Sequence, residues 1–421
     1  MNFKKINKLL FLQLTIISII PFLIWGPFFP DLILSLSSII FLIFVIRNKE
    51  YRFINNKPFI IFSIFCSYCV VLSIFSENLM LSLKSSLFYI RFGLFSCVVW
   101  YLIEKDELIL KYFFNIICIS FIVLILDGSF QYIFGKNIFG LPIVGNRVSS
   151  FFGDELVMGS YLSRLFPLLL ALLIVIKKRT YENYFIFPII FLSGILIFIS
   201  AERVALLFYI LTVFLIVIFV RDYRKPLIIS FICTLIVASI IIINSPWMKN
   251  RMVDKISNVF LQKEATHKYI FSPVHDTIYR TAFKMFLDKP ITGHGPKMYR
   301  ALNEDPKYFI NVNSGHSHPH NFYVQLLAET GIVGLSFLLL SLFYVLYSLA
   351  RQFVSIIFNK KKPFTDYQTC LLIAMILTLW PFSPNGNFFN NWLSIIYSLP
   401  VGFYMHSIFG SNKAIKQNSI I

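Results

Sequence analysis

Six of the seven histidines fall between residues 267 and 320: His267, His275, His294, His316, His318 and His320. The last three alternate ahead of an apolar run, in His316-Ser-His318-Pro-His320-Asn321. An imidazole, with an unperturbed pKa of about 6.5, is the side chain best suited to take a proton near neutrality. His320 opens the run at its polar edge and is therefore a general-base candidate; the plainer reading is a set of interfacial histidines in a polar loop. A zinc site is not expected, because no thiolate or well-spaced carboxylate completes a tetrahedral ligand set. Beyond His320, Asn321, Gln325 and Glu329 recur at four-residue steps, which carries a polar stripe along one helical face. Gly331 and Gly334 follow and permit close approach of a neighbouring helix.

The second kind of chemistry is anion binding. In Ser200-Ala201-Glu202-Arg203 the arginine sits at the tip between two apolar runs. Its planar guanidinium matches a phosphate bidentately, although snorkelling or pairing with Glu202 would also explain it. Arg280 lies four residues after Asp276, so a helical salt bridge competes with a role as a second phosphate arm. Two arginines and a histidine on one membrane face suit transfer from a lipid-linked diphosphate, where fixed cations stabilise the leaving charge. Arg91 and Arg164 lie inside apolar runs, where an ionised side chain is costly and points to function by default; an inter-helix hydrogen-bonding role is the alternative. The segment Gly145 to Tyr161 carries Arg147, Gly153, Asp154, Glu155 and Gly159. Its two carboxylates are adjacent and not opposed across a cleft, so they do not form an acid/base pair, and Asp154 suits a helix cap. No phosphate-binding glycine loop, dinucleotide fingerprint or H-E-x-x-H pattern is present.

The elements that must position these groups are membrane helices. The chain has 421 residues, 57% hydrophobic and 14% charged, too few charges to cover a soluble surface. Disorder, a secreted disulfide scaffold and a soluble nucleic-acid binder are thereby disfavoured. Twelve apolar runs are expected to span: roughly 9–25, 29–46, 58–75, 85–103, 110–126, 156–176, 184–200, 203–220, 226–244, 321–349, 367–383 and 392–409. The first follows Lys4, Lys5 and Lys8 and reads as an uncleaved span. Placing the N-terminus inside puts the basic segments Arg47 to Lys57, Lys177-Lys178-Arg179, Arg221 to Lys225, Arg351 to Lys362 and the Lys413/Lys416 tail in the cytoplasm, as the positive-inside rule requires. Most of the +18 net charge is thus a topology signal. The fold class is all-α and polytopic, with an N-terminal bundle at 1–126, a central bundle at 127–244 with an extracytoplasmic loop at 127–155, a large loop at 245–320 and a C-terminal bundle at 321–421. In that large loop Val274, Ile278, Ala282 and Phe286 form one apolar stripe, Pro290 stops the helix, and Pro296 opens a second short helix toward Asn303. Cys66, Cys69, Cys97, Cys118, Cys233 and Cys370 all lie in apolar runs and read as small buried thiols.

In sum, these residues resemble the O-antigen ligase and O-antigen polymerase superfamily of bacterial envelopes. Its ligase pattern is His, then Asn, Ser or Gln, nine residues, then Gly-x-x-Gly; His320-Asn321, residues 322–330 and Gly331-Ile-Val-Gly334 satisfy it. The order Arg147 to Tyr161, Ser200 to Arg203, and Arg280 to Gly295 also resembles that of the family, as do twelve spans with one large loop between the ninth and tenth. The chain departs from the pattern at Asp154-Glu155, where relatives often carry Asn-Pro-Asn, and in Glu202 beside Arg203. The resemblance implies a metal-independent, inverting glycosyltransferase of the bacterial inner membrane that needs no cofactor. It implies an undecaprenyl-diphosphate-linked glycan donor, a lipid A-core or other glycan acceptor, membrane lipids as surroundings and no nucleic acid. His320 would be the base, Arg203 and Arg280 would hold the diphosphate, and His318 and Asn321 would support them. By their own placement Arg91 and Arg164 could reach the same diphosphate, and Arg147 is a further candidate for substrate binding. A polymerase joining lipid-linked repeat units is the close alternative. A secondary transporter or flippase is the distant one, disfavoured because no repeat relates the two halves and the polar residues gather on one membrane face.

Overall fold

The structure is a computed structural model and describes residues 3–176, 183–261 and 272–411. Lys177-Lys178-Arg179, His267 and the Lys413/Lys416 tail lie outside the described residues. The described chain is helical, with two isolated β-bridges and no strand. The helices are α1 (Phe3–Ile17), α2 (Ile19–Trp25), α3 (Phe28–Asn48), α4 (Lys57–Ile74), α5 (Leu79–Ser86) and α6 (Arg91–Lys105). Next come α7 (Leu108–Phe134), α8 (Met158–Ile176), α9 (Asn183–Ile199), α10 (Arg203–Phe219), α11 (Arg224–Asn244), α12 (Pro246–Lys249) and α13 (Lys255–Leu261). The last five are α14 (Pro273–Asp288), α15 (Tyr299–Leu302), α16 (Phe322–Ile357), α17 (Asp366–Thr378) and α18 (Asn391–Phe409).

Each apolar run of the sequence falls on a helix. Among the described residues eight helices are long and apolar enough to cross a membrane. Four shorter apolar ones, Leu9–Trp25, Phe187–Ile199, Arg203–Phe219 and Asp366–Thr378, account for the remaining runs. Helix α8 is the centre of the bundle, packing on α7, α9, α10 and α17. Loops alternate between two ends. At one end Arg52 pairs with Glu104 at 3.3 Å and Lys105 with Glu50 at 3.1 Å. At the other, Arg147 meets the Ser200 carbonyl, Arg251 meets Ala201, and the Asn385 N–H meets His320. All six cysteines are free thiols, four of them buried.

Helix α7 runs to Phe134, so the loop expected from residue 127 begins only at Gly135. Asp127 and Gln131 interrupt the apolar run but not the helix. They turn back onto the loop that follows: Gln131 accepts from the Ser149 and Ser150 N–H groups at 3.0 and 2.7 Å, and Asp127 accepts from Ile138 N–H and the Ser150 hydroxyl. The large loop does not stand free. Its helix α14 buries Ile278, Ala282 and Met285 with Met298, Tyr299 and Tyr308, and Ala328 of α16 belongs to the same core. The second short helix, α15, begins at Tyr299, three residues beyond Pro296.

The break in α16 positions everything else at this end. Gly331 has φ 62° and ψ −167°, a conformation essentially reserved for glycine. Backbone groups freed by the break must be re-paired, and a loop backbone does it. Ala328 and Glu329 carbonyls accept from His294 and Gly295 N–H, while Ile332 and Val333 N–H donate to Pro290 and Ile291 carbonyls. The Tyr68 hydroxyl takes the Thr330 carbonyl at 2.9 Å. A Cβ on Gly331 would sit 2.2 Å from the Ile291 carbonyl oxygen, and one on Gly293 2.4 Å from the Glu329 carbonyl carbon. The close neighbour of Gly331 is therefore loop backbone, not the helix expected from its spacing with Gly334; the atoms nearest a Cβ on Gly334 belong to Thr330 of its own helix. Replacing Gly331 with Ala is expected to cost about 1–3 kcal/mol. The check is a lowered thermal midpoint in detergent, with faster proteolysis at 290–295; an unchanged midpoint would refute the splice.

Candidate active site

His320 is held by the chain on both sides. It has φ 56°, in the left-handed region, and is followed by the N-cap of α16. The Asn321 side chain accepts from Tyr323 and Val324 N–H at 2.9 and 3.2 Å, and its Nδ2 donates to the Pro381 carbonyl at 2.8 Å. The polar stripe below is a single buried network. Gln325 donates to Glu329 at 2.9 Å and accepts from the Phe388 N–H at 2.8 Å, while Glu329 also accepts from the Tyr299 N–H at 3.2 Å. The stripe thus ties the large loop and the α17–α18 connection to the helix that carries His320.

Three other imidazoles surround His320, with ring centroids at 4.2 Å for His318, 5.4 Å for His316 and 6.1 Å for His275. The alternating histidines form no strand; they follow bends of irregular backbone. Burial, then the His316 and His275 charges, push His320 down to about 4; burial and His320 do the same to His318. Both imidazoles are accordingly neutral near pH 7. His275 belongs to α14, where the N-cap hydroxyl of Ser272 lies 2.7 Å from its Nδ1. Its pKa is lowered by burial and next by the charge of Arg203. Among the described residues no three His, Cys, Asp or Glu side chains converge as a metal-holding group.

Arg203 belongs to a cluster. Arg147 donates to the Ser200 carbonyl at 3.0 Å and the Leu156 carbonyl at 3.1 Å, and Arg251 donates to the Ala201 carbonyl at 3.0 Å. Both guanidiniums bond the backbone of the α9–α10 turn that presents Arg203. Burial lowers the pKa of each, and neighbouring arginines lower them further while Glu202 opposes this. Glu202 itself turns away from Arg203. Its carboxylate accepts from Gly159 N–H at 2.7 Å, and from Ser160 N–H at 3.1 Å and Oγ at 2.7 Å, at the start of α8. A Cβ on Gly159 would be 2.4 Å from the Ser200 hydroxyl, so this approach needs glycine. Burial pushes the Glu202 carboxyl up, against Ser160, Arg147 and Arg164. Arg203, exposed and with no hydrogen bond to the described chain, keeps its fork free.

The remaining arginines go elsewhere. Arg91 is committed to Asp31, at 3.1 Å through Nε and 2.8 Å through Nη2. Arg280 is 69% exposed on α14 and, among the described residues, pairs only with Asp276, at 3.8 Å. Arg164 is buried, donates to the Tyr397 hydroxyl at 3.3 Å and stacks on Phe208, leaving Nη1 without a partner. Spacing singled out neither Arg251 nor the loop Ser383–Asn387, because each reaches the site through contacts more than 40 residues away in sequence. Asn321→Ala is expected to lose about 1–2 kcal/mol, from the lost cap and the lost bond to Pro381, whereas Asn321→Asp keeps the cap and loses less. Thermal unfolding checks this; equal midpoints for the two variants would count against it.

Compared with known proteins, residues 188–339 match the family model described as O-antigen ligase. No curated protein matches the chain.

Proposed function

We propose that this chain, which belongs to the O-antigen ligase-like superfamily through residues 188–339, is an O-antigen ligase of the bacterial inner membrane. Glycosyl transfer of the O-antigen ligase or polymerase type is the activity of that family. The finer reading is that the end bearing His320 faces the periplasm, both termini face the cytoplasm, and a glycan moves from undecaprenyl diphosphate to a sugar hydroxyl of lipid A-core. One observation carries it: a neutral imidazole, His320, lies beside His275, which feels the charge of Arg203, and the turn that presents Arg203 is braced by Arg147 and Arg251.

The diphosphate lies against Arg203, with Arg280 as the exposed arm that folds onto it. His320 takes the proton of the acceptor hydroxyl, the oxygen attacks the anomeric carbon, and the bond from that carbon to the phosphate oxygen breaks. The electron pair leaves on the undecaprenyl diphosphate, whose charge the arginines hold. A single displacement inverts the anomeric centre. Glu202 keeps its role at the start of α8 and does not compete for the phosphate. A base with a pKa near 4 is weak, and the negative charge of the bound diphosphate raises it. Donor binding therefore strengthens the base as it arrives.

A ligation assay with purified undecaprenyl-diphosphate glycan and lipid A-core tests this. His320→Ala is expected to lose roughly 10²–10⁴-fold in rate, and full activity would sink the base assignment. Arg203→Ala should raise the donor KM about 10–100-fold, the worth of one or two charge-assisted bonds. The base works only when unprotonated, so activity falls as pH drops through its pKa. The acid limb of kcat/KM, which reports the free enzyme, is expected well below 6.5 and that of kcat above it. Coincident limbs near 6.5 would contradict the coupling. In a deletion strain, mass spectrometry should find unattached carrier-linked polymer; single repeats on core would indicate a polymerase instead.

A further inference from the structure

We propose that the segment Ser383–Asn387, between α17 and α18, is the subsite that holds the accepting sugar beside His320. This rests on the reading of His320 as the base of a glycosyl transfer. Several features carry it. The segment is seated directly on the base, since the Asn385 N–H donates to the His320 carbonyl at 2.7 Å. It is also pinned at both ends, by Asn321 on Pro381 and by the Phe388 N–H on Gln325.

Alternate residues of the segment bury polar atoms that the chain does not pair. Ser383, Asn385 and Asn387 are 1%, 5% and 8% exposed, yet Ser383 Oγ, Asn385 Oδ1 and Asn387 Nδ2 have no hydrogen-bond partner among the described residues. His318 Nε2 is a fourth such atom. Buried polar groups are ordinarily satisfied, and three in five residues is a concentration that asks for a ligand. The amide orientations follow from the bonds that are made. Asn387 Oδ1 accepts from Phe389 N–H at 2.8 Å, which leaves Nδ2; Asn385 Nδ2 donates to the Ser383 carbonyl at 3.4 Å, which leaves Oδ1.

The resulting wall offers an acceptor, a donor and a hydroxyl, and no formal charge. A phosphate cannot satisfy Asn385 Oδ1, because that atom needs a hydrogen-bond donor. A sugar hydroxyl both donates and accepts and fits all three. Placement agrees with the chemistry. The arginines come from the α9–α10 turn and its neighbours, whereas this wall comes from the α17–α18 connection, so charged and neutral recognition arrive on different elements. In a single displacement the nucleophile and the leaving diphosphate likewise occupy opposite faces of the anomeric carbon.

The test uses the full-length protein in nanodiscs, with the undecaprenyl-diphosphate glycan saturating and lipid A-core titrated. Asn385→Ala and Asn387→Ala are expected to raise the acceptor KM about tenfold or more, with the donor KM unchanged. Arg203→Ala should show the reverse pattern. Ser383→Ala, which removes one unpaired hydroxyl, serves if an asparagine variant fails to fold, and is expected to raise the acceptor KM several-fold. An unchanged acceptor KM in folded variants, or a donor KM that moves in parallel, overturns the subsite while the transferase reading stands. Binding of de-acylated core oligosaccharide, followed by saturation-transfer NMR, separates the two ideas. Binding lost in Asn385→Ala, in a protein that transfers nothing, keeps the subsite and overturns the transferase reading. No binding to the wild type overturns the subsite.

Discussion

A break in a membrane helix leaves backbone groups that water cannot reach, and this chain satisfies them with another stretch of its own backbone. At Gly331 the carbonyls of Ala328 and Glu329 and the N–H groups of Ile332 and Val333 are all taken by residues 290–295. Tyr68 of α4 takes the Thr330 carbonyl. The exchange docks the large loop against α16 through backbone as well as through apolar side chains. The core of that loop is completed by Ala328, a residue of the same helix.

That one splice sets the geometry of the site on three sides. The turn of α16 above the break carries Gln325 and Glu329, whose bonds reach Tyr299 in the loop and Phe388 in the α17–α18 connection. At the top of the same turn, Asn321 caps the helix and holds Pro381. His320 therefore occupies the point where helix, loop and connection meet, in a left-handed conformation that its neighbours determine. His275 approaches from α14, the helix that the splice anchors at its far end.

Electrostatics then divides the labour. Glu202 is drawn to the free N–H groups at the start of α8, a place where a carboxylate is welcome. With the carboxylate engaged there, Arg147 and Arg251 brace the turn through backbone carbonyls and Arg203 stays unpaired. Burial, and then His316 and His275, keep His320 neutral, while the arginines suit an anionic leaving group. Arg91 illustrates the opposite outcome: Asp31 of α3 takes its Nε and Nη2, and the Phe88 carbonyl takes its Nη1.

The sequence by itself determined what depends on neighbours along one helix. The apolar runs and the i+4 stripe from Asn321 to Glu329 follow from local periodicity, whereas the need for glycine at 331 comes from the Ile291 backbone packed against it. The family resemblance rested on those same local spacings. Tertiary structure alone decided which charges meet. Nothing in the spacing of Arg91, Arg147, Arg203, Arg251 and Arg280 distinguishes the one paired to Asp31 from those gathered at the α9–α10 turn, or from the one facing solvent beside Asp276. Nor does spacing bring Asn385 to His320, 65 residues away. Helix periodicity reaches about four residues, whereas these pairings depend on how the loops at one end of the bundle fold over one another.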